Sequence, residues 1–174
     1  MNYATIKPND IANGEGVRVS LFVSGCNIHC EDCFNKEAWD FDYGQEFTYD
    51  TLTHLLDLVD RPYIQGLSIL GGEPLAIFNI ETVELIISMF RFRFGNSKDI
   101  WLYTGYDLNE SGDIFFSRLM KLADVIVDGP FIKDKKDPSL WFKGSSNQRI
   151  IDTKASVQNG ALLDRKLIVE WSPK

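Results

Sequence analysis

All three cysteines of this 174-residue chain lie in one short segment, as Cys26, Cys30 and Cys33 with the spacing C-x3-C-x2-C. Thiolates are suited to zinc, copper(I) and iron–sulfur clusters. Because a 4Fe–4S cluster is commonly held by four cysteines, three would leave one iron open to a small molecule that carries an amine and a carboxylate. The main alternative is a structural zinc site with His29 as the fourth ligand. The segment therefore predicts a metal centre, and its spacing alone leaves both metals open.

The composition is typical of a compact protein in a reducing compartment. An odd number of clustered cysteines does not fit a disulfide framework. The net charge is −7, from 18 Lys and Arg against 25 Asp and Glu, which disfavours nucleic-acid binding. No apolar run reaches the roughly 18–20 residues of a membrane span, and the N-terminal residues do not resemble a secretory signal. We therefore expect a cytoplasmic protein that binds neither nucleic acid nor membranes.

Several apolar runs along the chain have the composition of β-strands. They are rich in β-branched and aromatic residues, and turn residues follow several of them. The predicted strands are residues 17–23, 67–70, 100–103, 123–127 and 148–151.

Segments between these strands have the 3.6-residue period of amphipathic helices. Thr48 is the predicted N-cap of the first helix, and Asn79 is that of the second. Their apolar faces are formed by Leu52, Leu55, Leu56 and Val59, by Val83, Ile86, Ile87 and Phe90, and by Phe115, Leu119 and Leu122. Strands that alternate with helices predict βαβ units and a parallel sheet.

Four of the predicted strands are followed by glycine beside a polar or reactive side chain. These strand ends read Ser24-Gly25-Cys26, Gly71-Gly72-Glu73-Pro74, Thr104-Gly105-Tyr106 and Asp128-Gly129-Pro130. Parallel strands end at the same edge of a sheet, and in such folds the chemistry lies at the carboxyl ends of the strands. We therefore expect the four strand ends to meet at one site.

The cysteine spacing resembles the signature of the radical S-adenosylmethionine superfamily. The wider pattern resembles the family of anaerobic (class III) ribonucleoside-triphosphate reductase activating proteins. The resemblance rests on four stretches and their order: NGEGVRVSLFVSGCNIHCEDCFNKEAW, GGEPL, DIWLYTGY and ADVIVDGPFIKDKKDPSLWFKGSSNQRIID. Many superfamily members have an aromatic residue before the third cysteine, whereas this chain has Asp32 there. Phe34 follows the cysteine instead, which is similar to the C-x-x-C-[YF]-N of this family.

The resemblance implies that Cys26, Cys30 and Cys33 ligate a 4Fe–4S cluster. It also implies that Asp32, Cys33 and Phe34 lie against S-adenosylmethionine, with Phe34 near the adenine. The cofactors supply the reaction, and the protein contributes binding, orientation and exclusion of water.

Two further groups of residues are expected near the cofactor. Gly71 and Gly72 would let the backbone approach the methionyl amine, because glycine has no side chain to obstruct it. Glu73 would either orient that amine or fix the loop. Thr104 and Asp128 are placed near the cofactor only by the strand-end argument. We expect Gly72→Val to spare cluster assembly and to weaken cofactor binding by crowding the methionyl group.

The implied activity is that of a radical S-adenosylmethionine activating enzyme. Reductive cleavage would give methionine and a 5′-deoxyadenosyl radical, which would remove a hydrogen atom from a glycine in the large subunit of anaerobic ribonucleoside-triphosphate reductase. An electron donor, which the sequence does not identify, is also required. The alternatives are activation of another glycyl-radical enzyme, such as pyruvate formate-lyase, and a non-catalytic interaction module stabilised by zinc.

The fold that the resemblance implies is α/β, a partial (β/α) barrel of about six mainly parallel strands with outer helices. The chain is shorter than the roughly 200–250 residues of a complete barrel. We expect a single radical S-adenosylmethionine domain over residues 1–174, with residues 155–174 as a C-terminal tail without an assigned role. The sequence favours a solvated loop at KDKKDP, residues 133–138, and leaves the role of GSSNQR, residues 144–149, open.

Overall fold

A computed structural model describes residues 1–173, so Lys174, the last residue of the predicted tail, lies outside the described residues. The strands are β1 Asn2–Asp10, β2 Arg18–Val23, β3 Gln45–Glu46, β4 Gly66–Gly71, β5 Asp99–Tyr103, β6 Val125–Asp128, β7 Arg149–Asp152 and β8 Val169–Glu170. The α-helices are α1 Tyr49–Val59, α2 Ile80–Phe94, α3 Asp113–Leu122 and α4 Thr153–Gln158. Short 3-10 helices cover Lys36–Trp39, Lys133–Lys135 and Arg165–Leu167.

The strands of residues 1–173 form one open, mixed sheet in the order β3-β1-β2-β4-β5-β6-β7-β8. The four central strands, β2, β4, β5 and β6, are parallel neighbours. Both edges are antiparallel, with β1 and β3 on one side and β7 and β8 on the other. The central strands therefore end at the same edge of the sheet, whereas the curvature of a partial barrel stays a prediction.

The predicted strands and helices are confirmed. Thr48 caps α1, and its hydroxyl accepts a hydrogen bond from the Thr51 amide in a reciprocal capping box. Asn79 does occupy the N-cap position of α2, but its side chain makes no capping hydrogen bond. That side chain instead donates hydrogen bonds to backbone carbonyl oxygens.

The edge strands β1, β3 and β8 were not predicted from the sequence. The β1 segment NYATIKPND mixes polar and apolar residues and contains Pro8, which lacks an amide hydrogen for a sheet. Most of its residues are partly or fully exposed, which suits a strand near an edge. Both β3 and β8 have two residues, too few for an alternating pattern.

The two faces of the sheet pack against different parts of the protein. One face and helices α1, α2 and α3 share the main core, to which β5 contributes Ile100 and Leu102. The alternate residues of the same strand, Trp101 and Tyr103, point to the other face, as the two-residue period of a strand requires. There Trp101 packs edge-to-face against Phe142 and Trp171. No helix within residues 1–173 combines the length and apolar character needed to cross a bilayer.

Part of the predicted tail packs on the body of the protein. β8 pairs antiparallel with β7, and Trp171 joins the aromatic cluster on the second face. The Arg165 guanidinium donates to the carbonyl oxygens of Leu108 and Asn109, at 2.8 and 2.6 Å. The tail thus holds the loop that follows β5.

The second face also contains a fully buried cation, Arg18. Its guanidinium donates to Ser68 Oγ and to the Leu67 carbonyl oxygen, at 2.8 and 3.0 Å, and lies 5.5 Å from the centre of the Trp101 ring. Asp99 Oδ1 lies 2.5 Å from Arg18 Nη2, an ion pair by distance that lacks well-directed hydrogen-bond geometry. The buried charge is thereby balanced at the start of β2.

Asp99→Ala is expected to lower the free energy of unfolding by about 3 kcal/mol, because Arg18 would remain buried without its carboxylate. This is the low end of the range for buried pairs, since 31% of the Asp99 side chain is exposed. Asp57→Ala removes an exposed partner of Arg93 and should cost less than about 1 kcal/mol. Urea denaturation of both variants measures the difference, and equal losses would contradict a special role for the buried pair.

Candidate functional site

The four predicted strand ends meet as expected. The residues that follow β2, β4, β5 and β6 all contribute to the lining of one cavity of about 440 Å³. Each strand end contributes to the lining, for example through Cys26, Gly72, Thr104 and Gly129. The cavity therefore lies at the carboxyl edge of the parallel strands, as in other parallel α/β folds.

Backbone hydrogen bonds hold the start of the cysteine loop, residues 24–34. The Gly25 amide donates to the Ala38 carbonyl oxygen at 2.9 Å, and the Cys26 amide donates to that of Trp39 at 3.1 Å. Near the cavity the side chains of Asn27 and Tyr106 are hydrogen-bonded to each other at 2.9 and 3.1 Å. The loop is thus fixed both to the segment that follows it and to the loop after β5.

The three cysteines are free thiols, and all of them line the cavity. Cys26 is buried, whereas Cys30 and Cys33 are partly exposed. Burial raises the pKa of the Cys26 and Cys30 thiols above the usual value. A metal that binds here must therefore displace protons from these thiols.

The donor set fits an iron–sulfur cluster in its chemistry. It consists of three thiols in one cavity, and thiolates are the protein ligands that such clusters prefer. The His29 ring is stacked on Trp39, with ring centres 4.5 Å apart. Within residues 1–173, no group of three or more His, Cys, Asp or Glu side chains is arranged to hold a single metal ion.

Most of the other predicted site residues also line this cavity. They are Asp32, Phe34, Gly71, Gly72, Glu73 and Thr104. The Phe34 ring is 91% exposed, so its faces are available for stacking. Asp32 has a positive φ of 57° and forms an ion pair with Lys133 at 3.0 Å. Hydrogen bonding to Lys133 lowers the pKa of the Asp32 carboxyl.

Glu73 fixes the loop after β4 through its buried carboxylate. Oε1 accepts hydrogen bonds from the Leu75 amide at 2.9 Å and from the Thr104 hydroxyl at 2.8 Å. Oε2 accepts from the Gly105 amide at 2.8 Å. Burial raises the pKa of this carboxyl to about 7, although the three hydrogen bonds oppose the shift. Of the two roles expected for Glu73, these contacts correspond to fixing the loop.

Asp128 is not among the residues that line the cavity; its neighbour Gly129 is. The Asp128 carboxylate is almost completely buried and accepts hydrogen bonds from the Leu108 amide and the Arg149 guanidinium, at 3.0 Å in each case. It therefore anchors the loop after β5 to the start of β7.

One wall of the cavity is not predicted by the sequence pattern. It comes from the long segment between β6 and β7, and it consists of Phe131, Lys136, Asp137, Pro138, Leu140, Phe142, Lys143, Gly144 and Gln148. Lys136 and Asp137 belong to the stretch expected to be a solvated loop. Length was the available signal, because a hairpin connection of this size is unusual and long loops are often functional.

The surroundings of Gly72 leave no room for a side chain. A Cβ built at Gly72 would lie 2.4 Å from the Gly25 carbonyl oxygen and 2.9 Å from that of Ala38. These atoms belong to the backbone beside Cys26, so a side chain at position 72 would displace the cysteine loop itself. This clash argues against the expectation that Gly72→Val spares cluster assembly, and we expect the substitution to disturb the loop that carries the cysteines.

Comparison with known proteins identifies relatives of this chain. A family model described as a 4Fe-4S single cluster domain matches residues 12–151. The anaerobic ribonucleoside-triphosphate reductase-activating protein of Enterobacteria phage T4 is 43% identical over 150 residues, which cover 86% of this chain and 93% of the relative. The protein of the same name from Haemophilus influenzae is 42% identical over 86% of this chain and 97% of the relative. The Escherichia coli K12 protein of that name is 43% identical over 85% and 96%.

Gly72→Ala is expected to lower the free energy of unfolding by about 1–3 kcal/mol and to reduce iron uptake on reconstitution, because the new Cβ overlaps the Gly25 backbone. Gly112→Ala is the matched control, since nothing lies within 4 Å of a Cβ at that position. Chemical denaturation and iron analysis compare the two variants. Normal iron uptake by Gly72→Ala would contradict the close packing of these loops.

The raised pKa of Glu73 predicts a pH dependence of stability. The ordinary pKa of this carboxyl is 4.5, so between pH 4.5 and about pH 7 Glu73 of the folded apoprotein retains a proton that the unfolded chain has released. The contribution of Glu73 to the free energy of unfolding is therefore fully present below pH 4.5. It is lost as the pH rises through 7, and the total loss is about 3 kcal/mol. Glu73→Gln should flatten this part of the profile in denaturation measurements from about pH 5 to pH 8. An unchanged slope in the variant would assign the dependence to other groups.

Proposed function

This chain belongs to the family of anaerobic ribonucleoside-triphosphate reductase-activating proteins and to the 4Fe-4S single cluster domain family, and on that basis we propose that it generates the glycyl radical of an anaerobic ribonucleoside-triphosphate reductase. The observation that carries the proposal is that the three cysteines of the chain, all free, line one cavity together with the Gly71-Gly72-Glu73 loop. The site proposed for the cluster and the site proposed for the cofactor are thus adjacent.

Cys26, Cys30 and Cys33 would hold the 4Fe–4S cluster, and S-adenosylmethionine would bind beside it. When bound, the reduced cluster supplies the electron that splits S-adenosylmethionine into methionine and a 5′-deoxyadenosyl radical, which removes a hydrogen atom from a glycine of the reductase. The chain itself supplies thiolates, a defined orientation and a cavity that limits access of water.

The residues proposed to bind S-adenosylmethionine present complementary groups to it. The exposed Phe34 ring offers a surface on which an adenine can stack. Gly71 and Gly72 present backbone without side chains at the place proposed for the methionyl group. Asp32 and Thr104 line the same cavity. Asp128 would act indirectly, by anchoring the loop after β5.

The segment between β6 and β7 is proposed to enclose the reaction. Phe131, Leu140 and Phe142 line the cavity together with the strand ends. Their apolar side chains would help to keep water away from a reactive radical, which would otherwise be lost to side reactions. An opening must remain for the glycine of the reductase, so we propose that this segment forms part of the docking face.

The chemistry of the cluster also indicates the cellular compartment and the need for an electron donor. Thiolate ligands require reduced cysteines, which favours the cytoplasm. A separate electron donor must reduce the cluster, and nothing in the chain identifies it.

We also propose that the open sheet is curved as a partial (β/α) barrel, which would direct the four central strand ends toward the cavity.

Replacement of Cys26, Cys30 or Cys33 by Ala is expected to abolish cleavage of S-adenosylmethionine, because the cluster loses one of its protein ligands. His29→Ala is the control, since the histidine is a ligand only in the zinc alternative. Iron content, absorption near 400 nm and 5′-deoxyadenosine formation should be measured on anaerobically reconstituted protein. We expect His29→Ala to retain both iron and activity.

The outcomes separate the candidate functions. A colourless protein with stoichiometric zinc that is lost in His29→Ala would favour the interaction module. A protein that cleaves S-adenosylmethionine but places a radical only on pyruvate formate-lyase would favour activation of that other enzyme. Retention of the cluster and of cleavage by Cys30→Ala would contradict ligation by three cysteines.

A further inference from the structure

Asn79 makes an unusual set of contacts for a residue at a helix N-cap. Its side chain is 1% exposed and does not cap α2. Instead Nδ2 lies 2.9 Å from the Ser24 carbonyl oxygen, 3.3 Å from that of Gly25 and 3.0 Å from that of Glu73. All three neighbours are acceptors, so the amide nitrogen, with its two hydrogens, must be the atom that faces them.

These carbonyl groups belong to the two loops that meet at the cavity. Ser24 and Gly25 immediately precede the first cysteine, and Glu73 belongs to the GGEP loop, residues 71–74. The Glu73 amide also donates to the Gly25 carbonyl oxygen at 2.8 Å, so backbone and side chain join the loops at the same point. The Asn79 amide thus contacts both loops from the N-cap position of α2.

We propose that Asn79 is a positioning residue that sets the distance between the cluster held by the cysteine loop and the methionyl group held by the GGEP loop. The inference rests on the proposed function, because it assumes that the two loops bind these two groups. The geometry matters because electron transfer and bond cleavage require close, aligned reactants, and a displacement of about 1 Å can reduce a rate about a hundredfold.

Two substitutions separate positioning from folding. Asn79→Ser introduces a residue that caps helices well but has too short a side chain to reach three carbonyl groups. Asn79→Asp keeps the shape of the side chain, while an ionised carboxylate can only accept hydrogen bonds and would face three carbonyl oxygens. Asn159→Ser is the matched control, because it removes a single hydrogen bond to the Leu167 carbonyl oxygen, at 2.9 Å, in the tail.

The first measurement is hydrogen exchange on the apoprotein, which does not depend on the proposed function. In Asn79→Ser, the amides of Gly25, Cys26, Gly72 and Glu73 should exchange faster, whereas those of α2 should remain protected. Unchanged exchange at these four amides would overturn the proposal. Should Asn79→Asp fail to fold, Asn79→Ser still provides this test.

The second measurement uses the reconstituted protein. Asn79→Ser is expected to keep its iron, to form 5′-deoxyadenosine about 10- to 100-fold more slowly per cluster, and to lose part of the change that S-adenosylmethionine causes in the electron paramagnetic resonance spectrum of the reduced cluster. Asn159→Ser should match the unmodified protein. A fall in activity that only follows a loss of iron would make Asn79 a structural residue and overturn the proposal. Absence of cleavage by the unmodified protein would instead refute the proposed function, while the exchange result would still report on the contact.

Discussion

The parallel alignment of β2, β4, β5 and β6 brings four loops to one edge of the sheet, where the backbone of the loop after β4 contacts that of the loop after β2. The Gly72 amide donates to the Val23 carbonyl oxygen and the Glu73 amide to that of Gly25, both at 2.8 Å. At such distances there is no room for a Cβ between the loops. Glycine at position 72 is therefore a consequence of the sheet geometry, because the loops can approach this closely only without a side chain.

Most polar side chains buried around the cavity form hydrogen bonds with other protein atoms. Glu73 binds the loop after β5, Asn79 binds the cysteine loop, and Asp128 binds both Leu108 and Arg149. Such a network fixes the loops before any ligand arrives, and preorganisation of this kind lowers the free energy needed to assemble a reactive geometry. The thiols and the exposed Phe34 ring also line the cavity, and they are the groups that we propose to contact the ligands.

Sequence patterns predicted the central strands, helices α1, α2 and α3 and the meeting of four strand ends, because each depends on local periodicity and on the direction of neighbouring strands. The edge strands were missed, since β1 has no clear alternation and β3 and β8 are too short for one. The Asn79 contacts could not be predicted either. An asparagine before a helical segment indicates an N-cap, and only the three-dimensional approach of Ser24 and Glu73 gives its amide other partners. The wall from the β6–β7 segment was missed because its charged residues suggested solvent.

Detection of the glycyl radical itself tests the proposed activity most directly. Reduced, reconstituted protein would be mixed anaerobically with S-adenosylmethionine and an anaerobic ribonucleoside-triphosphate reductase, followed by electron paramagnetic resonance and quantification of 5′-deoxyadenosine. We expect a protein-based glycyl radical on the reductase, formed only with intact Cys26, Cys30 and Cys33. Normal 4Fe–4S content without any radical or 5′-deoxyadenosine, under conditions in which a known activating protein succeeds, would contradict it.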